Sequence, residues 1–348
     1  MSFDLILPFL RPIEHLIRDD EISEIMVNTS SRVFIERLGR IESVPAIQLN
    51  EKSLHVALRN IARLLGDDIS ETKPIQDARL PYGSRVAAVI PPCSLQGITL
   101  SIRKFSARHF TIEDLIALES LDQDLARLLR QKVEDRQNIL ISGGTGTGKT
   151  TLLNILADFI SDQERIVVIE ETAEIIIYRS NLVRFEARRE QSNTPAVTIR
   201  DLLRATLRHR PDRIIVGEIR GGEAFDFLQV LNTGHSGTLS TIHANSAYHA
   251  ISRFVSCVLQ SNIDLPYKAI KVNFADSINL LLHIERKNGH RYVSQLLEVR
   301  GYDVEADKYE LVPLYQKSQA STPSRDTPFR VSPLFQGGTS GGSPAAEE

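Results

Sequence analysis

The spacing of hydrophobic and polar positions divides the chain into two stretches of different period. Between residues 24 and 38 apolar and polar side chains alternate, with Val33 and Ile35 on one face and Arg32 and Glu36 on the other. That period predicts two strands, over residues 24–28 and 32–38, paired as a hairpin. Leu54, Leu58, Ile61 and Leu65 then recur at helical spacing, and Gly66 follows as a stop. Two further strands are predicted over residues 84–90, ended by Pro91-Pro92, and over residues 98–105. The first hundred residues therefore read as a small α+β unit.

From Thr111 the pattern changes. Thr111 and Asp114 have the spacing of a capping box, and Leu121, Leu125, Leu128, Leu129 and Val133 make one helical stripe. Short apolar runs at residues 138–142, 165–169 and 213–216 read as buried strands, and residues 150–160 read as a helix. Strands alternating with helices predict a parallel sheet whose ligand lies at the carboxyl ends of the strands. Residues 106–110 are the expected linker. The expected division is an amino-terminal unit over 1–106, an α/β unit over 107–316, and a tail over 317–348. The tail is rich in Ser, Thr, Pro and Gly, a composition that predicts disorder.

Composition narrows what such a chain serves. Its 348 residues are 42% hydrophobic and 24% charged, the make-up of an ordinary soluble globular protein. A net charge of −3 gives no global attraction for nucleic acid, so direct nucleic-acid binding is not expected. Two cysteines, Cys93 and Cys257, make neither a disulfide framework nor a four-ligand zinc site, and they fit a reducing cytoplasm. The first residues lack a basic leader, carry Asp4 and are interrupted by Pro8, so no signal peptide is expected. No apolar run reaches the roughly 18 residues of a membrane span. Work at a membrane would then go through partners.

The strongest chemical signal is Gly143-Gly144-Thr145-Gly146-Thr147-Gly148-Lys149-Thr150, directly after a predicted strand and opening a predicted helix. Gly143 and Gly148 let the backbone turn and approach phosphate, so that successive amides point at one oxygen cluster. The positive end of the helix adds to this. Lys149 brings a charge to the β- and γ-phosphates, and the Thr150 hydroxyl is a ligand for Mg²⁺; Thr151 continues the loop. This is a nucleotide site of the P-loop type.

Phosphoryl transfer to water also needs an acid that holds the metal and a group that positions water. Two apolar strands run into carboxylates: residues 213–217 end at Glu218, and residues 167–169 run into Glu170, Glu171 and Glu174. Glu218, on a Walker B pattern, is the expected second Mg²⁺ ligand. His235 and His243 flank a strand-like run with Gly234 and Gly237 beside them, and without metal-ligand companions they suit a γ-phosphate or water contact. Arg79, Arg85, Arg103 and Lys104 cluster around the last amino-terminal strands, and Arg103 lies just before the linker, where it could face a nucleotide cleft. Arg204, Arg208, Arg210 and Arg213 form a second basic group.

These motifs occur in the order of a known family. The phosphate loop, the acid run from Glu170 to Glu174, Leu207-Arg-His-Arg-Pro-Asp-Arg-Ile-Ile-Val-Gly-Glu218-Ile-Arg-Gly-Gly-Glu223, and Thr233-Gly-His through His243-Ala-Asn-Ser246 resemble the secretion ATPase superfamily of type IV secretion, conjugal transfer and tight-adherence pilus assembly. The segments Asp77-Ala-Arg-Leu-Pro and Ile102-Arg-Lys-Phe105 extend the resemblance over roughly residues 10 to 300. It implies a RecA-like P-loop domain preceded by a smaller α+β domain, in a homo-hexameric ring docked on inner-membrane secretion or pilus platform proteins. It implies ATP and Mg²⁺ as ligands. It also implies Glu174 as the water-activating glutamate, Glu218 as the Walker B acid and His235 and His243 as the histidine box. Arg85 and Arg103 become γ-phosphate contacts and Arg210 a cleft arginine. The family's acid box usually reads Glu-Asp, and here it reads Glu170-Glu171. The type II secretion and pilus-extension branch carries a four-cysteine zinc element that two cysteines cannot make, and the retraction motors' Arg-Asn-Leu-Ile-type segment is not visible. The competing readings are a nucleotide-gated oligomeric scaffold with little turnover, a pilus-retraction or type II secretion motor, and a nucleic-acid motor, which the net charge does not support.

Overall fold

The computed structural model describes residues 6–37, 40–64, 66–80, 83–104, 110–188, 190 and 194–317. The expected linker, apart from Phe110, and the expected tail, apart from Lys317, lie outside them.

The amino-terminal part is one antiparallel sheet in the order β3-β2-β1-β6-β5-β4. Its strands are β1 (Ile22–Thr29), β2 (Arg32–Arg37), β3 (Arg40–Val44), β4 (Ile75–Arg79), β5 (Arg85–Val89) and β6 (Thr99–Arg103). The predicted hairpin is β1–β2, with Val33 and Ile35 buried. One face of the sheet packs on α2 (Glu51–Leu64), which buries Leu54, Leu58 and Ile61 as their spacing requires, and on the short α1 (Glu14–Arg18). β3 and β4 escape the sequence pattern because they are the two edges: Arg-Ile-Glu-Ser-Val in β3 is mostly exposed, and Ile75 of β4 faces solvent.

The second part is an eight-stranded sheet, β14-β13-β12-β7-β11-β10-β8-β9. Its strands are β7 (Ile139–Gly143), β8 (Ile166–Glu170), β9 (Leu182–Glu186), β10 (Arg213–Ile219), β11 (Leu239–His243), β12 (Leu280–Lys287), β13 (His290–Asp303) and β14 (Lys308–Gln316). From β12 to β9 every neighbouring pair is parallel, and β13 and β14 add an antiparallel edge. Helices cover both faces, which is why the central strands read as continuous apolar runs. Ile139, Ile141 and Val168 face α3 (Ile112–Ala117), α4 (Gln123–Glu134) and α5 (Lys149–Ala157). Leu140, Val167 and Ile169 face the layer of α6 (Ile199–Thr206), α7 (Glu223–Asn232), α8 (Ala247–Leu259) and α9 (Tyr267–Ser277). Leu125, Leu129 and Val133 of α4 are fully buried, each contributing about 2 kcal/mol of apolar transfer energy. α3 opens on the expected capping box of Thr111 and Asp114.

This is the RecA-like arrangement that the motifs implied. β7 and β8 are consecutive parallel strands separated in the sheet by β11 and β10. The crossover between them opens a crevice at the carboxyl ends, where a phosphate loop must sit. Among the described residues no cluster of buried hydrophobic side chains mixes the two parts: one is built from Ile6 to Ile102 and the others from Ile112 to Tyr315. Among the described residues no helix is long and apolar enough to cross a membrane.

Candidate active site

A cleft of about 570 Å³ lies between the two sheets. Its floor is the loop between β7 and α5. Gly146 and Gly148 have φ of 69° and 98°, the left-handed region where a side chain would be strained. Gly143 is needed for space instead, since a Cβ there would stand 2.5 Å from the carbonyl oxygen of Ile284. Thr147 Oγ1 donates to the carbonyl of Gly144 at 2.9 Å and tightens the turn. Thr145, Gly146, Thr147, Gly148, Lys149, Thr150 and Thr151 all line the cleft, while Gly143 and Gly144 form the base beneath it.

Lys149 is the most perturbed group of the loop. It is buried, with its Nζ donating to the carbonyls of Gly143 and Gly144 at 3.1 and 2.9 Å. Burial pushes its pKa down to about 8, against the pull of Glu218. A phosphate in the cleft supplies the counter-charge that this ammonium lacks. Nζ also lies 3.3 Å from His243 Nδ1. Burial and the neighbouring Lys149 hold the His243 pKa below its usual value, so the ring is neutral near pH 7. Accepting from Lys149 through Nδ1 leaves the proton on Nε2, which stands 2.8 Å from Glu218 Oε1.

Glu218 projects near the end of β10, beside the lysine. Its Oε2 accepts from Arg220 Nε at 2.6 Å. Its Oε1 is buried and lacks an aligned hydrogen bond despite the nearby imidazole. A buried carboxylate oxygen whose one neighbouring donor is poorly aligned, in a cleft that Thr150 also lines, is oxygen chemistry that suits a hard divalent cation.

The acid run after β8 divides its labour. Glu170 is buried, and its Oε1 accepts the backbone N–H groups of Glu174 and Ile175, each at 2.7 Å. Its other oxygen pairs with Arg184 at 3.2 Å. Burial pushes its pKa up, opposed by those donors. Glu170 thus folds the loop that carries Glu174, and Asn154 of α5 steadies the same loop by accepting from Ile176 N at 3.3 Å. Glu174 is half-buried and lines the cleft, as does Glu171, whose carboxylate pairs with Arg220.

The amino-terminal sheet supplies the opposite wall. Arg85 and Arg103 are directly paired across β5 and β6, and both line the cleft. Asp77 holds Arg85 in a two-point contact, Nε to Oδ1 at 2.8 Å and Nη2 to Oδ2 at 2.6 Å, which raises the Arg85 pKa further. Two arginines from the β12–β13 hairpin complete the surroundings. Arg291 Nε donates to the carbonyl of Gly146 at 2.9 Å, and Arg286 reaches Glu36 of the other sheet at 3.4 Å.

Two expected residues are not brought to this cleft within the chain. His235 precedes β11, at the edge of the sheet opposite His243, where its Nδ1 lies 3.2 Å from Thr233 Oγ1. Arg210 precedes β10 at that same far edge, exposed and with φ of 50°. Strand polarity separates each from its motif partner. Two other members of that basic group sit in ion pairs, Arg213 buried against Glu164 and Arg204 with Asp226 at 2.9 Å, while Arg208 is exposed. Arg220 and Arg291 were missed in the sequence. Arg220 was visible only as a loop residue two positions after Glu218, and Arg291 comes from a hairpin about 145 residues beyond the loop it touches.

With this geometry in place, residues 9–300 match the Type II/IV secretion system protein family. The chain belongs to that family. It is 34% identical over 288 residues to the conjugal transfer protein TrbB of Rhizobium radiobacter, covering 82% of this chain and 85% of that one. It is 32% identical over 330 residues to the type IV secretion system protein VirB11 of Bartonella henselae, covering 84% and 92%. The solved structure of the Legionella pneumophila ATPase DotB shares its fold, with a TM-score of 0.57 at 20% identity over 84% of this chain and 80% of that one. The chain is a P-loop ATPase, and its nucleotide use follows from the family and the loop together.

Proposed function

We propose that the chain is the homo-hexameric motor of a conjugal-transfer or type IV secretion machine, hydrolysing Mg-ATP in the cleft between its two sheets. The observation that carries this reading is the two-sided origin of the cleft. One sheet gives the phosphate loop, Glu174, Glu218 and His243; the other gives Arg85 and Arg103. A site whose charges come from two separately packed bodies is complete only when they approach, which ties hydrolysis to movement.

Thr150 and Glu218 Oε1 would hold Mg²⁺, which when bound neutralises the β- and γ-phosphate oxygens. Lys149 lies at the base to meet the same phosphates. Glu174 orients and deprotonates the attacking water, and the rigid loop that Glu170 folds keeps its carboxylate in place. Arg85 and Arg103 offset charge on the γ-phosphate from the far wall. Neutral His243 links Lys149 to Glu218 and moves no proton of its own. The kinship with a conjugal transfer protein and a type IV secretion system protein supports a role in macromolecule transport, and on this reading the motor would dock on platform proteins at the cytoplasmic side of the inner membrane.

Glu174→Gln tests the assignment. Nucleotide affinity should stay within about twofold while turnover at saturating Mg-ATP falls at least ~10²-fold, the usual worth of a positioned general base. Turnover near wild type would reject the role of Glu174. A wild-type chain that binds ATP and fails to turn it over would favour a scaffold instead. The mass of the ATP-bound assembly by light scattering tests the ring.

A further inference from the structure

In the cleft, Glu171 and Glu218 share one guanidinium. Nη1 of Arg220 pairs with Glu171, while its Nε bonds Glu218 Oε2 at 2.6 Å and its Nη2 lies 2.5 Å from the same oxygen. The two acids come from the ends of β8 and β10, which are adjacent in the sheet, so the fork joins neighbouring strand ends. Its backbone is fixed as well: Glu223 Oε1 accepts from the N–H groups of Arg220 and Gly221 at 2.6 and 2.8 Å.

Two carboxylates held this close without a cation repel each other and make a ready site for a divalent ion. Such a site would take the metal without nucleotide, away from the phosphates. We propose that Arg220 is a specificity-determining residue that occupies this position with a fixed charge of the chain's own. Of the Glu218 carboxylate, Arg220 takes Oε2 and leaves Oε1 for the metal. One carboxylate oxygen and one threonine hydroxyl hold Mg²⁺ weakly, so the metal is retained only when phosphate oxygens complete its shell. Arg220 thereby makes metal loading depend on nucleotide. This rests on the assignment of Glu218 as metal ligand.

Mn²⁺ titration of the nucleotide-free protein, followed by electron paramagnetic resonance, tests the proposal. Wild type and Arg220→Lys, which keeps the charge, should bind Mn²⁺ only weakly. Arg220→Ala and the better-matched Arg220→Gln should each bind it at least tenfold more tightly. Adding Glu171→Gln to Arg220→Ala should cancel that gain, because one of the two carboxylates is gone. A purely structural arginine would give no gain of metal affinity on removal. Equal Mn²⁺ affinity in wild type, Arg220→Ala and Arg220→Gln, with unchanged melting curves, would overturn the proposal. So would a gain that survives Glu171→Gln. The metal assignment has its own control: Mn²⁺ affinity of the ADP-bound wild type should fall at least tenfold in Glu218→Gln, and an unchanged value there would sink that assignment separately.

Discussion

Replacing Lys149 by Met should make the nucleotide-free protein more stable while abolishing nucleotide binding. The ammonium is buried, and its pKa falls from the ordinary 10.5 to about 8, chiefly through burial. At roughly 1.4 kcal/mol per pH unit, that drop means the charged side chain costs the folded state about 3 kcal/mol. Met keeps the length and apolar stem and removes the charge. It also leaves the carbonyls of Gly143 and Gly144 without the lysine's hydrogen bonds; Gly144 is exposed and turns to water, and Gly143 loses about 1 kcal/mol. The balance is a gain of about 1–2 kcal/mol, or ~2–8 °C in melting temperature for a domain of this size. The sign of the pH dependence is fixed. Below pH 8 lysine is charged in both folded and unfolded chains and the whole cost is present. As pH rises from 8 to 10.5 the folded form sheds the proton first, so the advantage of Lys149→Met shrinks across that window. Melting curves with and without ADP from pH 7 to 10 read both effects. Wild type should be stabilised by ADP and the variant should not. A variant less stable than wild type at pH 7, or one still stabilised by ADP, would refute the account of Lys149 as a strained charge waiting for phosphate.

Arg103→Ala should lower turnover by about 10²–10³ with nucleotide affinity changed only a few-fold, since arginine fingers act mainly on the transition state; steady-state kinetics beside fluorescent-ADP binding would show the split. Arg213→Met should cost about 1–3 kcal/mol in urea unfolding, because the carbonyls of Val133 and Gly237 lose its hydrogen bonds while Glu164 keeps Arg136. The same arginine fills the space beside Gly237, where a Cβ would come within 1.9 Å of its Nη1.

What the sequence disclosed follows from the geometry of parallel sheets. Gly143, Glu170, Glu218 and His243 each stand at or near the carboxyl end of an apolar run, and neighbouring parallel strands bring such ends to one edge. Nothing long-range is needed to infer their meeting. His235 and Arg210 belong to the same motifs in the text of the sequence, yet each precedes its strand. At about 3.3 Å per residue, the five residues of β11 put roughly 15 Å between the levels of the two histidines. Motif proximity conceals that distance. Arg220 was hidden for another reason: a half-exposed arginine in a glycine-rich loop has the pattern of a solvated charge, and only the joining of β8 to β10 gives it two acids. Arg291 and Arg286 depend on β12 pairing with β7, a contact that no local period encodes. The edge strands β3 and β4 were lost because edges are kept polar, which erases the alternation by which strands are recognised.

The pairing of Arg85 with Arg103 across β5 and β6 removes a degree of freedom. Opposed residues of an antiparallel pair are fixed about 5 Å apart at their Cα atoms, and a sheet deforms far less than a hinge. On the proposed function, one movement of the amino-terminal sheet would carry the bases of both arginines toward or away from the nucleotide. The two charges would then be gained or lost as a pair, so the response to closure would be steeper than with a single arginine, and a motor assembled from such units would advance in discrete steps.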